Sequence, residues 1–344
     1  MLILGIDSSC DDTSAAVVAD GRHALSNVVH SQVRLHRPHG GVVPELASRE
    51  HLKNIGPVVR EALKNAGAGL KDIEGVAVTV GPGLIGSLLV GLYYAKSLAY
   101  CREIPLLGVN HLEGHILSIF LEERLPEFPF VALTVSGGHT SIYMVEDYGR
   151  YRRMAHTVDD AAGEAFDKAA KVMGLGYPGG AVIERLAEEG SSDSVKFPRP
   201  MLSGGSIDFS FSGLKTALIL YLKKWSVSGC DSREVRLSDI AASFQEAVIE
   251  VLANKLVSAV RMTKVRSVVL AGGVACNKRL RGRVEDAISG EGAGLFYPRA
   301  SFCTDNGAMI AVAGYHRLLK GQKADLGIDV KSRFPIDELE GSLT

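Results

Sequence analysis

The chain lacks the marks of several classes of protein. It has 344 residues, with 38 Lys and Arg against 39 Asp and Glu, so its formal net charge is only −1. A nearly neutral chain is not held on nucleic acid or membrane by its overall field, so any RNA contact must use local basic patches or a partner protein. Its hydrophobic fraction of 46% and charged fraction of 22% are those of an ordinary globular protein.

Paired cysteines and long apolar runs are also missing. The five cysteines are widely spaced without a C-x-x-C pair, which argues against a disulfide framework or a zinc ribbon and favours a reducing compartment. Asp7 follows the start too soon for the apolar core of a signal peptide. The richest apolar stretch, 84–100, carries Lys96 and falls short of the about 20 apolar residues of a spanning helix. We therefore expect a soluble, cytoplasmic protein.

Strands and helices alternate in both halves of the chain. The first half is predicted to contain strands at 2–6 and 13–18, a helix at 43–66, a strand at 76–80, a helix at 88–100, a strand at 105–109 and a helix at 111–120. The second half is predicted to contain strands at 131–135 and 140–145, a helix at 240–263, a strand at 267–271, a strand ending at 296–297 and a last helix.

The matching order predicts an α/β fold made by duplication, with two lobes and a ligand site in the cleft between them, at the carboxyl ends of the strands. We predict an N-terminal lobe at 1–130 and a C-terminal lobe at 131–305. The second lobe includes an insertion at about 149–239. A C-terminal helix, at about 306–344, is expected to pack back on the first lobe.

The motif H-L-E-G-H starts a predicted helix after a strand. His111 and His115 lie about 40° apart on such a helix, so both imidazoles can reach one metal ion. Glu113 lies roughly 200° around the helix from either histidine, so it cannot act as the base of a zinc protease, and we expect Glu113→Gln to spare activity. The alternative is a surface helix with two solvated histidines.

Asp305 lies in C-T-D-N-G-A-M, at the turn of the second half that corresponds to the His111 turn. Two histidines and one carboxylate leave positions open for substrate, which is typical of a catalytic metal site. The alternative role for Asp305 is a helix N-cap.

Two glycine turns, 136–140 and 272–277, could hold a phosphate through backbone N–H groups, although neither matches the P-loop or G-x-G-x-x-G. Each is a weak signal, because tight turns need glycine anyway. In the insertion, Asp167 lies on an Ala-rich helix whose usual interpretation is a solvated surface. The following turn at 178–180 is suited to lying against a ligand.

Ten motifs together carry a family resemblance between Gly5 and Met309. They are G-I-D-S-S-C-D-D-T-S, G-G-V-V-P-E-L-A-S-R-E-H, G-P-G-L-I-G-S-L-L-V-G, N-H-L-E-G-H, V-S-G-G-H-T, D-D-A-A-G-E-A-F-D-K, Y-P-G-G, D-F-S-F-S-G-L-K-T, A-G-G-V-A-C-N and C-T-D-N-G-A-M. With these motifs the chain resembles the bacterial TsaD family, the tRNA N6-adenosine threonylcarbamoyltransferases formerly described as glycoprotein endopeptidases.

The resemblance implies an actin-like, sugar-kinase-like (ASKHA) fold of two related lobes. It also implies transfer of threonylcarbamoyl from threonylcarbamoyl-AMP to N6 of adenosine 37, in tRNAs that read codons beginning with A, with release of AMP. One divalent metal ion per subunit, Fe²⁺ or alternatively Zn²⁺, is implied at His111, His115 and Asp305. The positions that match the family's substrate contacts are Thr134, Val135, Ser136, Gly137, Gly138, Asp167, Gly180 and Asn277.

The implied partners are tRNA, a smaller paralogous subunit (TsaB-like) and an ATPase subunit (TsaE-like), with a homodimer for the isolated chain. Asp7 and Asp12 stand where the family usually has Glu, and Glu184 stands where Asp is common, so contacts made by Asp12 and Glu184 stay open. Two basic groups are candidates for the RNA contact, with solvated surfaces as the alternative. They are Arg150, Arg152 and Arg153, and Lys278, Arg279, Arg281 and Arg283.

Two other functions stay open on the residues alone. A small-molecule kinase of the same fold would need a catalytic Asp and Mg²⁺ rather than a histidine pair. A non-catalytic paralogue that recruits partners would be expected to lose the metal ligands and the glycine turns, which this chain retains.

Overall fold

The computed structural model describes residues 1–201, 205–227 and 235–341, so Cys230 and the end of the predicted C-terminal segment lie outside the described residues. The chain forms two compact units. The first comprises Met1–Pro129, Val145–Arg152 and Phe296–Thr344, and the second comprises Phe130–Met144 and Arg153–Leu295.

The first sheet has five strands, in the order β3-β2-β1-β4-β5. Strands β1 and β2 are antiparallel, as are β2 and β3, whereas β4 runs parallel to both β1 and β5. The strands are β1 (Leu2–Asp7), β2 (Asp12–Ala19), β3 (His23–Ser31), β4 (Gly75–Gly81) and β5 (Leu106–Asn110). The accompanying helices are α1 (Val33–His36), α2 (Pro44–Asn65), α3 (Ile85–Arg102) and α4 (His111–Leu117).

The second sheet has the order β10-β9-β6-β7-β8, with β6 parallel to β9. Its strands are β6 (Phe130–Val135), β7 (Thr140–Asp147), β8 (Arg150–His156), β9 (Ser267–Ala271) and β10 (Gly294–Phe296). The same half of the chain contains the helices α5 (Ala162–Val172), α6 (Gly179–Ala187), α7 (Ser212–Val227), α8 (Leu237–Thr263) and α9 (Lys278–Ser289). Taken from its β8 edge, this sheet repeats the strand order of the first sheet, which confirms the duplicated plan.

Helix α4 and strands β3 and β8 differ from the sequence prediction. The helix predicted at 111–120 ends at Leu117 and continues as a 3₁₀ turn, Ser118–Leu121. Strands β3 and β8 were not predicted, and β8 lies where the insertion was expected to begin. Each of these strands follows a hairpin and lies at an edge of its sheet. Their side chains are largely polar and exposed, so the sequence has no apolar pattern from which to predict them.

The last two helices are α10 (Ala300–Cys303) and α11 (Gly307–Leu319), and α11 packs on β1, β2 and β4. The packing is very close at its first residue, because a Cβ on Gly307 would lie 2.6 Å from the backbone nitrogen of Ala16. The start of α11 is therefore fixed against the first sheet, and Asp305 lies only two residues before it. Within the described ranges, none of the helices combines the length and the apolar character needed to cross a bilayer.

Candidate functional site

Helix α4 begins directly at the end of β5, and Asn110 fixes that junction. Its side-chain oxygen accepts hydrogen bonds from the backbone nitrogens of Leu112 (2.9 Å) and Glu113 (3.4 Å). Its amide nitrogen donates to the carbonyl oxygen of Phe334 at 2.7 Å. This N-cap places His111 on the first turn of the helix and His115 one turn later.

His111, His115 and Asp305 form one cluster, in which one ligand atom from each lies within 4.8 Å of the others. The carboxylate Oδ1 of Asp305 is 3.1 Å from Nε2 of His115 and 3.5 Å from Nε2 of His111. Both histidines are buried, so the alternative of solvated histidines is wrong. Asp305 is also not the N-cap of α11, because Asn306 accepts the hydrogen bond from Met309 N.

The side chain of His115 tests whether this cluster suits a metal ion. It is only 1% exposed, its Nδ1 has no hydrogen-bond partner among the described residues, and its Nε2 contacts the Asp305 carboxylate at 3.1 Å outside hydrogen-bond geometry. Buried polar atoms are normally paired, and an unpaired one costs roughly 1–3 kcal/mol. An imidazole pair with one carboxylate is a donor set for a divalent transition metal, so the residues present fit such an ion.

A second layer of side chains orients His111. Its Nδ1 lies 3.2 Å from the hydroxyl of Ser9 and 3.5 Å from Oδ2 of the fully buried Asp7, and Ser9 also donates to Asp7 at 3.3 Å. With Nδ1 engaged there, Nε2 faces the cluster, as metal-binding histidines commonly do. Our sequence reasoning treated Asp7 only as a departure from the family pattern. The available signal was an acid followed by serines at the end of a buried strand.

The charged groups of the cluster strongly shift one another's pKa values. Burial would lower the pKa of His111, but the carboxylates of Asp305 and Asp7 outweigh it and raise that pKa to about 10. Burial would likewise raise the pKa of Asp305, but the two histidines hold it well below its usual range. Because a metal ion takes neutral imidazole as its ligand, metal binding here would release a proton from His111.

Asp12 is near enough to this cluster for the charge of Asp305 to raise its pKa. Burial, followed by the charge of Asp305, raises the pKa of Asp12 to about 7, and its Oδ1 is buried without a hydrogen-bond partner among the described residues. A carboxyl group with this pKa can exchange a proton near neutral pH.

Glu113 lies outside the cluster, as the helix angle predicts. Its carboxylate is buried, 2.6 Å from Nη2 of Arg317 on α11, and it accepts hydrogen bonds from Arg317 Nε (2.8 Å) and the Tyr151 hydroxyl (3.1 Å). Glu113 is therefore the centre of a buried ion pair that joins α4 to α11.

In the second unit, the β6–β7 turn has unoccupied backbone donors. Ser136 closes the turn, because its N–H donates to the carbonyl oxygen of His139 (2.8 Å) and its hydroxyl accepts from His139 N (3.2 Å). The N–H groups of Gly137 and Gly138 donate no hydrogen bond within the described chain, and a Cβ on either glycine would touch nothing within 4 Å. The turn can thus present two adjacent N–H groups to an anion.

The predicted ligand turn after α5 is tied to that helix. Asp167 accepts a hydrogen bond from Gly179 N at 2.6 Å, whereas Gly180 faces open space. Glu184, on α6, accepts from Lys278 N at 2.7 Å. Asp167 and Glu184 therefore both hold backbone turns in place.

Thr134, Val135 and Asn277 have structural roles that the sequence did not indicate. Thr134 donates to Ser141 O (3.3 Å), while Val135 lies so close to Gly272 that a Cβ there would be 2.5 Å from its carbonyl oxygen. The buried side chain of Asn277 caps α9 by accepting from Leu280 N (2.9 Å), and it donates to Gln245 Oε1 (2.8 Å). The close approach of Val135 and Gly272 joins the end of β6 to the 272–277 turn.

Ion pairs compensate part of the positive charge of the two basic groups that were predicted to contact RNA. Arg150 is 3.0 Å from Glu146, and Arg279 is 2.7 Å from Glu246. Arg281 donates to the carbonyl oxygen of Ala275 at 2.6 Å. These groups are thus weaker candidates than their sequence suggested.

Known proteins are similar in sequence to this chain over nearly its whole length. The family model TsaD, tRNA N6-adenosine threonylcarbamoyltransferase, matches residues 23–312. The proteins of that name from Syntrophus aciditrophicus and Syntrophotalea carbinolica are 54% and 53% identical, and each alignment covers 98% of both chains.

Solved structures show the fold at much lower identity. HypF from T. kodakarensis has a TM-score of 0.60 at 16% identity, over 93% of this chain and 48% of that one. Component A of (R)-2-hydroxyglutaryl-CoA dehydratase from Acidaminococcus fermentans has a TM-score of 0.54 at 17% identity, over 93% and 99%. Together with the two matching sheets, these neighbours establish the actin-like, ASKHA-type fold. On the family model and the identities of these relatives, the chain belongs to the TsaD family, the tRNA N6-adenosine threonylcarbamoyltransferases.

Proposed function

We propose that the chain transfers threonylcarbamoyl from threonylcarbamoyl-AMP to N6 of adenosine 37, with a metal ion at His111, His115 and Asp305. Family membership makes it a transferase of t6A biosynthesis, which favours this function over a kinase or a non-catalytic paralogue. The observation that carries the metal assignment is the buried His115, whose Nε2 faces the Asp305 carboxylate at 3.1 Å outside hydrogen-bond geometry, beside a second histidine.

The reaction forms a bond between N6 and the carbamoyl carbon, breaks the bond from that carbon to the phosphate oxygen, and releases one proton from N6 to the solvent. AMP leaves with the bonding electrons. A divalent ion, Fe²⁺ or alternatively Zn²⁺, would polarise the carbamoyl carbonyl. Asp7 and Ser9 serve this chemistry indirectly, because they hold His111 with Nε2 facing the cluster.

We assign the adenylate phosphate to the β6–β7 turn. The support is the pair of open glycines, Gly137 and Gly138, whose N–H groups have no acceptor in the described chain. Two such donors stabilise a negatively charged oxygen without needing a cationic side chain. Gly180, which also faces open space, is assigned to the same ligand.

We further propose a partner surface on α2 and α3, which pack against each other. Four large apolar side chains on these helices are exposed: Leu52 (67%), Ile85 (43%), Tyr93 (60%) and Tyr100 (71%). Several large apolar side chains left exposed on two packed helices favour a protein partner. We assign the surface to the smaller TsaB-like subunit, or to a second copy when the chain is isolated. We also propose that the chain works with a TsaE-like ATPase subunit and that it is located in the cytoplasm.

The test follows the transfer of label to tRNA from threonylcarbamoyl-AMP whose threonine is labelled, with both partner subunits supplied. One substrate is a tRNA that reads codons beginning with A, and its matched control carries guanosine at position 37. We expect label only in the adenosine 37 tRNA, because guanosine has no N6 amino group to attack. No incorporation, or equal incorporation into both tRNAs, would contradict the proposed transfer.

A further inference from the structure

The segment from residue 21 to residue 44 contains no Asp or Glu, although it carries three arginines and four histidines. In a chain with a net charge of −1, this is a marked local excess of basic residues. Most of it is presented by residues 33–43, termed the basic loop here, which comprise α1, the 3₁₀ turn Arg37–His39 and the residues before α2.

The basic loop is built around one buried imidazole. His36 is fully buried, its Nδ1 accepts a hydrogen bond from Val43 N (3.3 Å), and its Nε2 lies 3.1 Å from Oε1 of Gln32. The backbone nitrogen of Gln32 in turn donates to the carbonyl oxygen of Asp11. Both ends of the loop are therefore tied to its centre, which fixes the backbone that carries its outer side chains.

Those outer side chains are basic and available. Arg34, Arg37 and His39 are exposed, and neither guanidinium forms an ion pair or a hydrogen bond with any residue that the structure describes. Arg150 and Arg279, by contrast, each contact a carboxylate. An arginine without a protein partner keeps its full charge and its planar set of donors for a phosphate.

The loop also leaves the first sheet beside the metal cluster. Ser31, two residues before the loop, pairs with Asp12 across β2 and β3. Asp12 is two residues before Ser14, which pairs with Asp7 across β1 and β2, and the carboxylate of Asp7 is 3.5 Å from His111 in the cluster. An RNA whose base reaches the cluster would bring its backbone phosphates near this loop.

We infer that the basic loop binds backbone phosphates of the tRNA substrate, with Arg34 and Arg37 as the contacts. This inference rests on the proposed transfer to tRNA, and it identifies a surface that the sequence analysis did not. Because phosphate contacts carry no sequence information, the loop positions the tRNA rather than selecting it.

The test is the affinity of the full chain for labelled tRNA, measured by fluorescence anisotropy at several salt concentrations. The variant is Arg34→Gln with Arg37→Gln. Its control is Arg261→Gln with Lys320→Gln, which removes the same charge from two exposed, ion-paired side chains. Two lost phosphate contacts should weaken binding by roughly tenfold and reduce the slope of log K against log salt by about 1.4 to 1.8.

The control should bind tRNA as the wild type does, and both variants should keep the wild-type metal content. The inference is wrong if the loop variant binds no more weakly than the control, or if its salt slope is unchanged. This result is distinguishable from failure of the proposed function. If the proposed function is wrong, the wild type will transfer no threonylcarbamoyl to tRNA, whatever its tRNA affinity.

Discussion

At the scale of single residues, helix geometry and tertiary contacts contributed differently to what could be predicted. The four-residue spacing of His111 and His115 was sufficient to predict that they lie together, because one helix fixes their angle. The contact of His111 with Ser9 joins positions 102 residues apart, so it depends on how β1 and β5 lie in the sheet. No local pattern carries that information.

The buried ion pair between Glu113 and Arg317 also changes the expected effect of Glu113→Gln. The substitution leaves Arg317 buried without its counter-ion, and losing one partner of a buried ion pair costs about 3–5 kcal/mol. We expect the free energy of unfolding in denaturant to fall by that amount, while metal binding is retained below the unfolding transition. The expectation from sequence that this variant spares transfer stays a prediction, for conditions in which the variant is folded.

The matched control is Glu45→Gln, which breaks an exposed ion pair with Arg49. Exposed pairs are worth roughly 0–1 kcal/mol, so this variant should unfold nearly as the wild type does. If the two variants lose equal stability, Glu113 and Arg317 do not form the buried link described above.

At the scale of secondary-structure elements, burial decided which ones could be predicted. Strand β9 is buried along its whole length and was predicted with its observed bounds, 267–271. Strand β8 has the sequence R-Y-R-R-M-A-H, in which charged residues cover the exposed positions. An edge strand of this kind is stabilised by its neighbour's hydrogen bonds and protected by its charges, so an apolar pattern is absent.

The packing of α11 gives a prediction at this scale. In Gly307→Ala, the new Cβ would meet the backbone of Ala15 and Ala16, so the start of α11 must shift. Overpacking of this kind costs about 1–3 kcal/mol, and the shift should also displace Asp305 and weaken metal binding. Thermal unfolding and metal content measure the two effects.

Gly282→Ala is the matched control, because a Cβ there meets nothing within 4 Å in the helix α9. This change should leave metal content unaltered and stabilise the chain by about 0.4–1 kcal/mol. Equal metal content in the two variants would show that α11 does not position Asp305 through this contact.

At the scale of the whole molecule, the duplication was predictable because each half repeats the order of its strands and helices. The complete strand order was not, since β3 and β8 were unrecognised, and only the structure shows five matching strands in each sheet. The cluster of His111, His115 and Asp305 lies within the first unit, which includes both Met1–Pro129 and Phe296–Thr344. Residues almost 200 positions apart thus form one centre through the packing of α11 on the first sheet.

The central claim is that this centre binds the metal ion on which transfer depends. The most direct test measures metal content by elemental analysis, and threonylcarbamoyl transfer to tRNA, on the same preparations of wild type, His115→Ala and the exposed control His23→Ala. We predict about one transition-metal ion per chain in the wild type and in His23→Ala, and loss of both metal and transfer in His115→Ala. Equal metal content in the wild type and His115→Ala would contradict the account.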